Sequence, residues 1–261
     1  MNKLILSSLT IFLLASCSNN EAKFAEDDGL NVFNADTLKK HIAVLASDDF
    51  MGRKPFTEGE TKTVAYRQDQ FKQMGLEPGN GESYIQEVPM ANILATAAPS
   101  MQVKSAKGSF NLKAFDDYII WTDKTDSSIS LNEAELVFAG YGVVAPEYNW
   151  NDYAGLDVKG KVVMVMVNEP GFWIGDTSLF KGKAMTYYGR WTYKFEEAAR
   201  QGAKGCLIIH NTAAASYPFS VVQNSFNTTR LKLDNRGKNI PNCDVIGWVP
   251  EKISHQLFAA A

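Results

Sequence analysis

Cysteine is scarce in this 261-residue chain, at three residues, and so is histidine, also at three. Three Cys rule out a disulfide-dense scaffold, and three His restrict any histidine-rich metal chemistry. Positive charge is in no surplus either. Lys and Arg number 26 against 29 Asp and Glu, a net charge of −3. With no excess of cations to neutralise phosphates, a nucleic-acid partner is disfavoured. The sequence has no His-Glu-x-x-His, no His-x-Asp and no Gly-x-Ser-x-Gly elbow, so neither a zincin helix nor a serine-hydrolase turn is present. Repeats of roughly 20 to 50 residues are absent as well. What remains is 45% hydrophobic and 21% charged, ordinary for a globular protein and enough for one large or two modest domains.

The N-terminus reads as an address. Lys3 precedes a largely apolar run from Leu4 to Leu14, too short for a membrane span of ~20 residues but suited to a secretory core. The run ends in Leu14-Ala15-Ser16-Cys17, small residues directly before a cysteine. This resembles a bacterial lipoprotein signal, with Cys17 the acylated mature N-terminus. The polar stretch from Ser18, through Asn19, Asn20, Glu21, Glu26, Asp27 and Asp28, then reads as a tether. Cys206 and Cys243 remain, and the sequence leaves their pairing open.

Periodicity organises the rest. Asp36 or Thr37 is expected to cap a helix carrying Leu38, Ile42 and Leu45. Thr57-Glu58-Gly59-Glu60 reads as a capping box. The helix it opens turns Val64, Phe71 and Met74 inward and stops at Gly75-Leu76. Met101–Val103 and Phe110–Leu112 flank Lys107-Gly108 as a hairpin. The polar stretch Thr122–Asn132 is a plausible boundary between lobes. Beyond it, Val162–Val167 is a β-branched run expected to be buried on both faces. Arg190–Gln201 reads as a helix and Gly205–His210 as a second buried strand, together a parallel βαβ unit. Pro250–Ala261 reads as a closing helix.

Two motifs are impostors. Gly155–Lys161 spells most of a phosphate loop, but it lacks the hydroxyl after Lys161 and precedes a strand rather than a helix. Gly140–Ala145 imitates a dinucleotide fingerprint, yet Pro146 arrives where the helix should run. The histidines carry no constellation. His41 shares a helix face with Leu38 and Leu45, Cys206 and His210 share a strand face, and His255 lies on an amphipathic surface segment. Two donors do not make a zinc site, which needs three or four.

The stretch His41–Arg53, reading HIAVLASDDFMGR, followed by Met74-Gly75-Leu76-Glu77-Pro78, resembles the start of metallopeptidase family 28, secreted zinc aminopeptidases. Gly140–Pro146, Asp152–Lys161, Tyr187–Lys194 and Glu196–Ala203 are similar to the protease-associated domain inserted in many of these enzymes, as are Tyr217-Pro218 and Val221–Ser225. The resemblance implies a mixed α/β fold. Residues 1–16 would be a signal peptide, 17–35 a tether and 36–125 the N-terminal part of a peptidase domain. Residues 126–261 would be a β-rich protease-associated domain, truncated at its C-terminal end. It also implies two zinc ions in the full-length family member, a peptide substrate, and first ligands in a His-x-Asp motif beyond the insertion. No metal ligand or catalytic residue can therefore be carried onto this chain, which is expected to bind no zinc itself. In the family the insertion borders the active-site cleft. Tyr188, Arg190 and Trp191 are the candidates for facing it, with a structural stack of Arg190 on an aromatic neighbour as the alternative. The expected whole is the N-terminal part of a lipid-anchored, extracytoplasmic aminopeptidase in the cell envelope. The competing readings are a free-standing protease-associated binding module and the same module from a subtilisin-type protease.

One acyl chain anchors marginally and several anchor firmly. Cys17→Ala is therefore expected to release the protein from the membrane fraction or to block its maturation, as read by fractionation and the mass of the processed chain.

Overall fold

The computed structural model describes residues 29–226 and 228–261. Cys17, the signal peptide and most of the tether lie outside the described residues. No helix among the described residues is long and apolar enough to cross a membrane. The chain divides between Glu87 and Val88 into two compact units.

The first unit is helical. Helix α1 spans Ala35–Leu45. Its cap is Asn34 rather than Asp36 or Thr37: the Asn34 side chain accepts the Asp36 and Thr37 N–H groups at 2.8 and 3.2 Å. Asn34 has the extended backbone a cap needs, which leaves Asp36 to oppose the dipole from the first turn. No α1 residue is fully buried. Helix α2 spans Glu58–Gln73. The expected capping box does not close: Thr57 makes no side-chain cap bond and its hydroxyl donates to Lys54 O, while Glu60 accepts the N–H of Phe56, one residue before the cap. Gly59 is required here, because a Cβ would sit 2.4 Å from the carbonyl oxygen of Phe50. Helix α2 stops as expected. Gly75 takes φ 74°, its N–H bonds Lys72 O, and the Leu76 N–H reaches back to Phe71 O, a Schellman stop. Met74, expected inside, is exposed.

The second unit is a mixed α/β sandwich. In chain order its elements are β1 (Met90–Ile93), β2 (Ser100–Ser105), β3 (Gly108–Lys113), β4 (Ile119–Trp121), β5 (Leu136–Phe138), β6 (Val144–Ala145), β7 (Trp150–Asn151) and β8 (Val162–Met166). There follow α3 (Gly171–Ile174), α4 (Trp191–Arg200), β9 (Gly205–His210), α5 (Thr212–Ala215), α6 (Phe219–Ser225), β10 (Arg230–Leu233), β11 (Val245–Pro250) and α7 (Glu251–Ala260). The central sheet runs β4-β11-β9-β8-β5. Strands β5, β8, β9 and β11 are parallel, and β4 closes one edge antiparallel to β11. Strands β8 and β9 are the buried apolar runs of the expected βαβ unit, linked through α4. The β2–β3 hairpin pairs Met101 with Leu112 and Val103 with Phe110.

Alternation sorts the strand residues into two cores. Val163, Val165, Cys206, Ile208, Ile246 and Trp248 face α4 and α6. Met164, Leu207, Ile209 and Val249 face α7 and the hairpin, meeting Ile253, Leu257 and Leu112. Residues 88–125 thus belong with the sheet, and the division between units lies upstream of the polar stretch Thr122–Asn132. Ile119–Trp121 supplies the fifth strand, and Trp121 stacks on Phe226 at 3.9 Å.

Cys206 and Cys243 are both buried and unbridged. The register pairs Val245 with Gly205 and Ile246 with Cys206, which puts Cys243 level with Ala203, whose carbonyl its thiol contacts.

Gly247 is where β4 approaches β11 most closely: a Cβ there would lie 2.1 Å from Ile119 O and 2.9 Å from Ile120 Cα. Gly247→Ala is expected to push the edge strand away and lower stability by about 1–3 kcal/mol, measured by urea unfolding.

Candidate functional site

Open parallel sheets build their sites beyond the carboxyl ends of the strands, and this sheet has a buried polar knot there. Asn168 follows β8 with φ 69°, a left-handed conformation that Asn tolerates better than most residues. Its Nδ2 donates to Ala214 O at 2.9 Å, and its Oδ1 accepts the Glu169 N–H at 2.9 Å. Glu169 is fully buried. Its carboxyl group accepts the Thr186 N–H at 3.0 Å and the Thr186 hydroxyl at 2.6 Å, closing the loop from Pro170 to Met185 at its base. Gly189 is a necessity: a Cβ would meet Met185 Cγ at 2.7 Å and the Glu169 carboxyl at 3.1 Å.

Lys194 completes the knot from α4. It is fully buried, and its Nζ donates to Asn168 O at 2.7 Å. Burial pushes its amine down to about 7, while the charges of Asp152 and Glu169 oppose the shift. Asp152 in turn accepts the Val143 N–H at 3.0 Å. Asn168 ties the loop after β8 to the loop after β9, Glu169 closes the loop after β8, and Asp152 braces the loop after β5. An amine that discharges near neutral pH can act as a nucleophile or base. This one has no exposed surface for a substrate to reach, so its chemistry is to hold loops.

The three residues expected at a cleft lie in different surroundings. Tyr188 is half-buried, edge-on to Phe180 and Tyr193, and its hydroxyl donates to Glu147 at 2.7 Å. That bond pushes its phenol up to about 12. Trp191 is half-buried against Phe195 and Phe226. Arg190 caps α4 with its side chain exposed. Asn168, Glu169 and Lys194 were not singled out by sequence. The available signal was a Glu directly after a uniform buried strand, and a Lys inside the apolar face Tyr193–Phe195 of an amphipathic helix.

Zinc does not fit the donors present. Among the described residues no three His, Cys, Asp or Glu side chains are grouped to hold a metal ion. His41 Nδ1 lies 2.7 Å from the Tyr66 hydroxyl. His210 is buried among Tyr217, Phe219 and Trp248, where burial lowers its pKa. His255 is exposed on α7. A separate cavity of about 270 Å³ lies between Leu94–Ala97 and Ile119-Ile120. Its lining is mainly apolar.

No protein-family model matches the chain, and no curated protein sequence matches it. Among solved structures it aligns with an aminopeptidase from Aneurinibacillus sp. strain AM-1 at 19% identity and a TM-score of 0.37, covering 87% of this chain. The chain spans 40% of that enzyme's length. A likeness this weak carries no functional argument.

The knot makes a pH prediction. The Lys194 amine ordinarily titrates near 10.5 and is lowered to about 7 in the fold. Above about pH 7 the folded chain sheds this proton while the unfolded chain keeps it, so this contribution to stability rises with pH. His210, also lowered, contributes a rise in the same sense, complete by about pH 7. The buried thiols of Cys206 and Cys243, both raised, oppose the rise above about pH 8.5. Between those limits, urea unfolding of Lys194→Met is expected to lack the upward slope that the unaltered chain shows.

Proposed function

We propose that the chain is the N-terminal part of a lipid-anchored, extracytoplasmic zinc aminopeptidase, with the unit from Val88 onward acting as a protease-associated domain beside the peptide cleft. The observation that carries this reading is the open apolar face of residues 29–87. Helix α1 buries none of its residues fully, and Leu38 and Ile42, one turn apart, are exposed, as are Met74 and Leu76 at the end of α2. Two helices that bury so little apolar surface are marginal alone. Such a face suits a helical layer that packs against a larger body. The resemblance of His41–Arg53 to the start of a zinc peptidase gives that body a chemistry. In this reading the zinc ligands and the general base come from sequence outside the chain. Here Asn168, Glu169 and Lys194 fix the loops that border the cleft, and Tyr188 and Arg190 stand at the rim. Peptides are the substrate class, and Cys17 supplies the membrane anchor.

Dizinc hydrolysis needs ligands converging on metals ~3.5–4 Å apart and a base on the bridging water. The 261-residue chain is therefore expected to bind no stoichiometric zinc and to leave aminoacyl anilides uncleaved, by metal analysis and a chromogenic assay. Joining it to downstream sequence containing a His-x-Asp motif is expected to give chelator-sensitive turnover. Two tightly held zinc ions on the 261-residue chain, or chelator-sensitive cleavage by it, would overturn the reading.

A further inference from the structure

The loop closed by Glu169 and Thr186 carries an outer end that the knot does not use. Helix α3 lies there, and two of its side chains face solvent: Trp173 is 54% and Ile174 67% exposed. The helix ends on Gly175 at φ 65°. The returning chain packs closely against it. A Cβ on Gly182 would lie 3.2 Å from Gly175 O, and the Lys183 Cε lies 4.0 Å from the Cβ position of Gly175. Lys181 and Lys183 are both exposed, so the segment returning past α3 carries two cations. Asp176, held ionised by the N–H and hydroxyl of Ser178, offsets one of the two cations. In a chain of net charge −3, this end is locally positive.

We propose that this tip touches the membrane: Trp173 and Ile174 enter the interfacial layer of a bilayer while Lys181 and Lys183 meet anionic headgroups. The proposal rests on the lipid-anchor reading, which brings the bilayer within reach. A tryptophan and a branched aliphatic side chain flanked by lysines match the composition of interfacial anchors. A protein partner fits less well, because a stable interface needs ~800 Å² per partner around an apolar centre, more than two exposed side chains supply. A tethered chain needs much less, since its anchor fixes a high local concentration of lipid. The base is already rigid, held by the Glu169–Thr186 bonds and by the fully buried Phe180. Little ordering cost opposes insertion.

The test uses the full chain bound to vesicles of phosphatidylcholine and phosphatidylglycerol with brominated acyl chains, which quench nearby tryptophan emission. All five tryptophans follow residue 120, and the other four are buried or half-buried. Bromine quenching is expected in the unaltered chain. In Trp173→Ala emission should match that in unbrominated vesicles, and Lys181→Glu with Lys183→Glu should weaken the effect most where phosphatidylglycerol is present. Vesicle-bound protein with no bromine quenching, or quenching unchanged in Trp173→Ala, overturns the tip and leaves the anchor standing. A blue shift without quenching also overturns it, assigning the tip to a protein body or a second copy. If Cys17→Ala keeps its native mass and remains bound and quenched, the tip is upheld and the anchor falls. A chain that binds no vesicles overturns both.

Discussion

The amine of Lys194 against the main-chain oxygen of Asn168 is the contact on which the carboxyl end of the sheet depends. Taking an ammonium out of water costs several kcal/mol even after the protein relaxes. The fold reduces that cost by letting the amine discharge near neutral pH, since either form can donate to Asn168 O. In exchange Asn168 is held left-handed, which aims its side chain at Ala214 O on one side and the Glu169 N–H on the other. Losing the lysine would leave a buried carbonyl unpaired, about 1–3 kcal/mol, at the point where the chain leaves β8. The structure therefore gathers Asn168, Glu169 and Lys194 into one small volume at the carboxyl end of a sheet built mainly from apolar alternation.

The distribution of what the sequence revealed follows from range. The hairpin of β2 and β3, the uniform run of β8 and the Gly75-Leu76 stop rest on periodicity and turn chemistry within a few residues. Each forms where those signals point. Pairings across long separations left no local mark. Ile119–Trp121 joins β11 more than a hundred residues later, so the polar stretch after it looks like a domain edge although the strand before it belongs to the sheet. Tyr188, Arg190 and Trp191 illustrate a different limit. They are adjacent in sequence, but the chain passes at Arg190 from a 3₁₀ turn into α4. Successive α-helical positions are rotated by ~100°, so neighbours in sequence enter different environments. Glu169 was invisible for a third reason: its burial is set by Thr186 and Gly189, seventeen and twenty residues away.

The two units use glycine for the same end by different means. At Gly59 the absent side chain lets the backbone at Phe50 lie against a helix start, tying the loop after α1 to α2 where few apolar contacts exist. His41, Tyr66 and Phe50 add edge-on ring contacts around it. At Gly189 the absent side chain makes room for the Glu169 carboxyl group and the Asn168 side chain. In the first unit close backbone approach substitutes for a core. In the second it admits buried polar groups into a region that already has one.

Those uses decide what chemistry this stretch of chain can perform. A metal centre needs lone pairs that converge on one point, and among the described residues no three His, Cys, Asp or Glu side chains do so. His41 Nδ1 faces a tyrosine hydroxyl, and the Glu169 carboxyl group is occupied by Thr186. The His210 ring is enclosed by aromatic neighbours whose exclusion of water opposes its charging. In the proposed enzyme the chain's contribution is the position of the loops after β5, β8 and β9.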